Sequence, residues 1–202
     1  MRKLIQFIFL LISFSNLNAQ ADEQILNELL FHLFDHQELV KGIIHIEEKQ
    51  IKTYFSKDSI SLELETGFAI PSNIISEWEK NIENQTFQPK WNEESFNKRD
   101  TVLIGKDTVL SKKPIFKCLS EHEMHQMLRS SQKLFNLDRQ QFYEKQEVIY
   151  SIGRIIFDSS RETAIFSFVG SSRSDAAWGR TVLIKKVFGK WIIIASFDYW
   201  MT

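Results

Sequence analysis

One cysteine, three prolines and seven glycines stand among 202 residues, and each scarcity excludes something. A lone thiol, Cys118, rules out an internal disulfide, so the fold must hold by packing. So little proline and glycine excludes collagen-like and Pro/Gly-rich disordered chains. Charge of one sign is lacking too, since 25 basic residues face 26 acidic ones. That balance, with no basic stretch interleaved with aromatics, predicts neither nucleic acid nor an anionic membrane as partner. Internal repeats and low-complexity tracts are absent, and Gly105-Lys106-Asp107 has none of the spacing of a phosphate loop. Aromatic mass is plentiful, at 17 Phe and 5 Trp, enough for one substantial core.

The first 21 residues read as a secretory signal. Arg2 and Lys3 form a charged start, Leu4 to Phe14 an apolar run, and Ala19-Gln20-Ala21 a small-residue cleavage site. As a helix the run reaches roughly 16 Å against a hydrocarbon core of about 30 Å, too short for a membrane anchor. Cleavage leaves Asp22 first and removes two basic residues, taking 25 to 23 against 26 acidic ones, a formal charge of −3. No cysteine stands nearby to carry a lipid. The expectation is therefore an exported protein, periplasmic or secreted, with residues 22–202 as one α+β domain and no stable membrane insertion.

From Asp22, a candidate N-cap, the residues Ile25, Leu26, Leu29, Leu30, Leu33 and Phe34 recur at helical spacing. Gly42 marks a break before Ile43-Ile44-His45-Ile46 and Ile51 to Phe55, apolar runs too short to assign. Ile60, Leu62 and Leu64 alternate with polar residues as a half-buried strand does. Pro71-Ser72-Asn73 opens a helix carrying Ile74, Ile75, Trp78 and Ile82. Residues 84 to 100 read as a polar surface loop, and Thr101 to Ile104 and Ile115 to Leu119 as short strands. Ser120 with Glu123 is the pairing of a capping box, which starts a helix through Met124, Met127 and Leu128. Four apolar segments follow, Val148 to Phe157, Thr163 to Val169, Arg180 to Phe188 and Trp191 to Trp200. The short polar turns between them predict an antiparallel meander. Three helices near residues 23–36, 74–83 and 120–135 can wrap one face of that sheet, in the order of a cystatin- or NTF2-like roll. The strand Trp191 to Trp200 is apolar on both faces for most of its length, which predicts that it is covered twice or meets a partner.

Ser151-Ile152-Gly153-Arg154-Ile155-Ile156-Phe157-Asp158, Ala164, Gly170, Gly179, Leu183-Ile184-Lys185-Lys186 and Gly189-Lys190-Trp191 form a further pattern. Over Ser120 to Thr202 it resembles a group of small exported bacterial proteins without assigned activity. Their shared ending is an S-R-x-x-F-(N/D) strand, an alanine-rich strand, a glycine-containing loop and a K-x-x-G-K-W hairpin. The resemblance implies export and a C-terminal meander, with no reaction attached. Two departures stand out: Gly153 separates Ser151 from Arg154, and the loop Ser171 to Trp178 lacks the cysteines or glycines often found there.

No residue set qualifies as a catalytic, cofactor or metal site. His122 and His125, with Glu121, share a helical face, and His32 and His36 form a second pair that could complete a four-ligand zinc site, so a zinc-binding protein or hydrolase using the His122/His125 region is the alternative reading. The segment is not H-E-x-x-H, however. Ser171 to Asp175 offers serines without an adjacent base and reads as a long polar hairpin loop. Arg154 alternates with Tyr150, Ile152 and Ile156 and needs an acid, for which Asp198 and Glu147 are the candidates. Cys118 reads as a small buried hydrophobe, and Asn84-Gln85-Thr86 is a formal glycosylation sequon. The reading that fits best is a non-catalytic exported protein binding a protein partner, a second copy or a small ligand through one sheet face.

Overall fold

A computed structural model of the chain describes residues 25–26, 28–29, 32–34, 42–56, 70–84, 90–97, 103–104, 108–109 and 115–202. The signal segment, Asp22, His36, the strand expected at Ile60 to Leu64 and Gly105-Lys106-Asp107 lie outside the described residues. Residues 25, 26, 28, 29, 32 and 33 are helical as the spacing predicts, and they bury Ile25, Leu26, Leu29 and Leu33. There follow β1 (Ile43–Glu47), α1 (Ser72–Glu83), α2 (Glu93–Asn97), β2 (Leu103–Ile104), β3 (Thr108–Val109) and β4 (Ile115–Leu119). The remainder is α3 (Glu121–Leu137), α4 (Arg139–Lys145), β5 (Ile149–Ile152), β6 (Ile156–Phe157), β7 (Thr163–Arg173), β8 (Ala176–Val187) and β9 (Lys190–Met201).

The fold is α+β around a seven-stranded sheet ordered β4-β1-β5-β7-β8-β9, with β6 also on β7. β1 runs parallel to both β4 and β5, and every other pair in that sheet is antiparallel. The unassigned run at Ile43 is thus a strand, fixed by neighbours distant in sequence. Both ends of α3 follow from local chemistry. The Ser120 N–H donates to Glu123 Oε2 at 2.9 Å in the expected capping box, and Asp138 ends α3 while accepting from Gln141 N–H to start α4.

Four expectations are corrected. The segment Val148 to Phe157 is split into β5 and β6, because around Gly153 the backbone bonds to Ile51 as well as to Ser167. Ser171 to Asp175 is no long loop: β7 and β8 pair up to Arg173 and Ala176, leaving a turn at Ser174-Asp175. Its polar residues sit on a half-exposed ladder, where Arg173 lies 3.9 Å from the Phe135 ring centroid and 2.6 Å from Asp175. Residues 90–97 are docked rather than looped out, with Trp91 and Phe96 buried. Asn97 closes both backbone groups of Phe116, and Glu93 accepts from Cys118 N–H, so side chains satisfy the outer edge of β4.

The fourth correction concerns the layers. Ala164, Phe166, Phe168, Val182 and Ile184 face the N-terminal helical residues in the main core. Ile165, Leu183 and Phe197 face the other way, against Trp78 of α1. Alternation along each strand therefore feeds two cores, and the helices cover both faces instead of one. Cover on β9 is uneven. Phe197 is buried, but Ile192, Tyr199, Trp200 and Met201 are exposed.

Candidate binding groove under a strap

Beyond β1 the chain crosses the α1 face of the sheet as a strap, residues 51–56, held strand by strand. At β5, Ile51 N–H donates to Ile152 O and Arg154 N–H donates to Ile51 O. Thr53 Oγ1 then donates to Arg154 O at 2.7 Å and accepts from Ser167 N–H on β7. Ser167 Oγ accepts from Tyr54 N–H at 3.0 Å, and on β8 Thr181 Oγ1 donates to Tyr54 O at 2.7 Å. On β9, Asp198 Oδ2 accepts from Ser56 N–H at 2.7 Å. Thr53, Ser167 and Thr181 are all buried, so each polar group that costs desolvation is met by the strap.

Two local devices make room for this crossing. A side chain at Gly153 would stand 2.4 Å from Thr53 Oγ1, so only glycine lets the strap approach β5. At the far end Gly179 pairs with Trp200 while Thr181 pairs with Phe197, leaving Asp198 and Tyr199 as a bulge opposite Arg180. Asp198 sits there at φ 54°, a left-handed conformation costing of order 1 kcal/mol that the bond to Ser56 helps offset.

Beside the strap lies a groove of about 400 Å³ walled by Ile51, Tyr54, Phe55, Val169 and Trp200, with charge supplied by Lys52 and Asp198. The Trp200 ring lies across Gly179, where an added Cβ would meet it at 2.5 Å. Arg180 also borders the groove but pairs with Phe168 and so shares that residue's opposite face. Its Cζ is 5.6 Å from the Phe168 ring centroid, and its buried Nε has no hydrogen-bond partner among the described residues.

The residues singled out in the sequence do not converge. His122 and His125 are exposed, His122 Nε2 lying 2.9 Å from Gln126 Nε2 and His125 3.8 Å from Glu121. His32 is exposed on the N-terminal helical residues. Among the described residues no three His, Cys, Asp or Glu side chains are grouped to hold a metal. Neither acid considered for Arg154 is its partner, since Asp198 holds Ser56 and Glu147 lies 3.8 Å from His45. Cys118 is half-buried and packs against the main core. Asn84 is exposed at the end of α1, donating to Lys80 O.

Sequence reasoning missed the strap entirely, and it missed His45. That imidazole is partly buried, with Nδ1 shielded and without a partner among the described residues. Burial pushes its pKa below 6.5, Glu147 pulls it up, and Lys117 on β4 lowers it further. Its contact with Glu147 is therefore mainly that of a neutral ring at neutral pH.

Among the described residues no helix is long and apolar enough to cross a membrane. No protein-family model matches the sequence, and neither a curated protein nor a solved structure matches it.

Proposed function

We propose that this is an exported, non-catalytic binding protein that takes a small, largely apolar ligand in the groove beside the strap. The observation that carries the reading is the groove itself, whose volume of about 400 Å³ suits a small molecule and whose walls are mostly aliphatic and aromatic. The nearby hydroxyls of Ser167 and Thr181 are engaged in holding Tyr54, so they leave recognition to shape. Asp198 Oδ1, which makes no hydrogen bond among the described residues, suits a ligand with one donor on an apolar body. Export rests on the charged, apolar and small-residue pattern of residues 1–21. In element order the domain reads as a cystatin- or NTF2-like roll, with helix first and long meander last, and it departs from such a roll in placing α1 on the second face.

The test is a titration with N-phenyl-1-naphthylamine, a neutral apolar probe, read by its fluorescence. One saturable site per chain is expected, lost in both Trp200→Ala and Val169→Glu. Saturation that survives both substitutions would place the probe elsewhere and sink the proposal. Native mass spectrometry of the exported protein adds a second reading. A monomer starting at Asp22 is expected, whereas a dimer abolished by Trp200→Ala would give this face to a second copy.

A further inference from the structure

We infer a second site, for a phosphate-type oxyanion, in the polar cavity between α1 and the turn that joins β6 to β7. The cavity measures about 490 Å³ and is bordered by Arg154, Arg161, Asn81, Asn84, Asp158 and Ser159. Two arginines thus border one space, and neither forms an ion pair among the described residues. Arg154 is held at its backbone, where its N–H donates to Ile51 O and its carbonyl accepts from Thr53. The site is distinct from the apolar groove, with which it shares no lining residue.

The acid in the cavity is bonded through its carboxylate within its own turn and not to either arginine side chain. Asp158 is buried, and its carboxylate accepts from Ser160 Oγ, Glu162 N–H and Thr163 N–H, three donors of its own turn. Glu77, close by on α1, is likewise taken by the N–H and hydroxyl of Ser159. That wiring fixes the turn, and Arg161 N–H donates back to Asp158 O. Arg161 consequently sits at φ 55°, an uncommon conformation for a non-glycine residue, with its Cζ 4.3 Å from the Phe157 ring centroid. Strain of this kind persists where surroundings enforce it and gathers at binding sites. On its other side Arg161 borders a cavity that also holds Glu28 and Glu162, and Glu28 already accepts from Trp191 N–H. On the Arg154 side the one acid bordering the space, Asp158, forms no ion pair with either arginine among the described residues. Guanidinium forks match the paired oxygens of phosphate, and Asn81 and Asn84, whose amides donate to Phe157 O and Lys80 O, border the same space.

The test is calorimetric titration of the whole exported chain at fixed ionic strength with two probes, inorganic phosphate and phenyl phosphate. Saturation by inorganic phosphate identifies a free oxyanion, and saturation by phenyl phosphate alone identifies a phosphate monoester. Either result is expected to weaken about tenfold or more in Arg154→Gln and in Arg161→Gln. Asn84→Asp, an exposed change that adds a negative charge to the same wall, is expected to weaken binding in a chain whose circular dichroism is unaltered. No saturation by either probe overturns the inference, and so does binding indifferent to all three substitutions. The neutral probe of the apolar groove should bind all three variants normally, so failure of one site is distinguishable from failure of the other.

Discussion

Replacing Gly153 with alanine tests the strap at its tightest point. The new methyl would lie 2.4 Å from Thr53 Oγ1 and 3.1 Å from Ser167 N, both inside normal contact. Gly153 is not among the glycines with positive φ, so the penalty comes from contact and not from the backbone. Thr53 is fully buried, and its hydroxyl is pinned between Arg154 O and Ser167 N–H, so it has no room to swing aside. Overpacking of this kind costs ~1–3 kcal/mol, and displacing the hydroxyl strips Arg154 O of a donor for ~1 kcal/mol more. Gly153→Ala should therefore lose ~2–4 kcal/mol of stability, and Thr53→Ala ~1–2 kcal/mol. In the double variant the obstructing oxygen is gone. Its loss should fall short of the summed single losses by at least ~1 kcal/mol, well beyond the ~0.3–0.5 kcal/mol scatter of independent sites. Equilibrium urea unfolding followed by tryptophan fluorescence measures all four corners of the cycle. Additive losses, or a neutral Gly153→Ala, would refute this path for the strap.

Three other positions in the sheet give further tests. Burial holds His45 below 6.5, so on acidification the unfolded chain takes up this proton first. Its stabilising contribution is complete above pH 6.5 and is lost as pH falls from there through the lowered folded value; the unfolding midpoint of His45→Gln should fall less steeply in that window, and an unchanged slope would assign the sensitivity to another group. At Gly170 a methyl would meet the Trp178 ring at 2.6 Å, and that ring is held against Tyr150 and Phe168. Gly170→Ala should cost ~1–3 kcal/mol in urea. Gly179→Ala meets Trp200 at 2.5 Å, but that ring is 46 % exposed and can swing outward. It should cost under ~1 kcal/mol while weakening the neutral probe severalfold, and the opposite ranking would contradict the groove geometry.

Where a signal is local, the sequence carries it. The N-terminal apolar spacing, the Trp78 helix, the Ser120–Glu123 capping box and the three long strands of the meander all stand where periodicity puts them. Ile43 to Ile46 was unreadable because a short apolar run suits a buried helix as well as a strand, and two parallel partners far along the chain decide it. Composition misled at Ser171 to Asp175, since polar residues on a half-exposed ladder look like those of a loop. Arg154, read as needing an acid, forms no ion pair among the described residues, and the acids considered for it serve Ser56 and His45.

The strap shows why the site was harder to read than the fold. Ser167, Thr181 and Asp198 look like interruptions in apolar strands, and nothing within ten residues of any of them supplies a reason. The reason lies more than a hundred residues upstream, where backbone groups of Tyr54 and Ser56 need partners on the sheet. A hydroxyl kept for chemistry must have lone pairs or a proton to spare. Ser167 Oγ accepts from Tyr54 N–H and also lies 3.4 Å from Tyr54 O, while the Thr181 proton goes to Tyr54 O. These groups are committed to architecture, and what the groove offers a ligand is apolar surface beside Asp198 Oδ1, which is unbonded among the described residues. Selectivity there should follow the size and shape of a ligand's apolar body more closely than its pattern of polar groups.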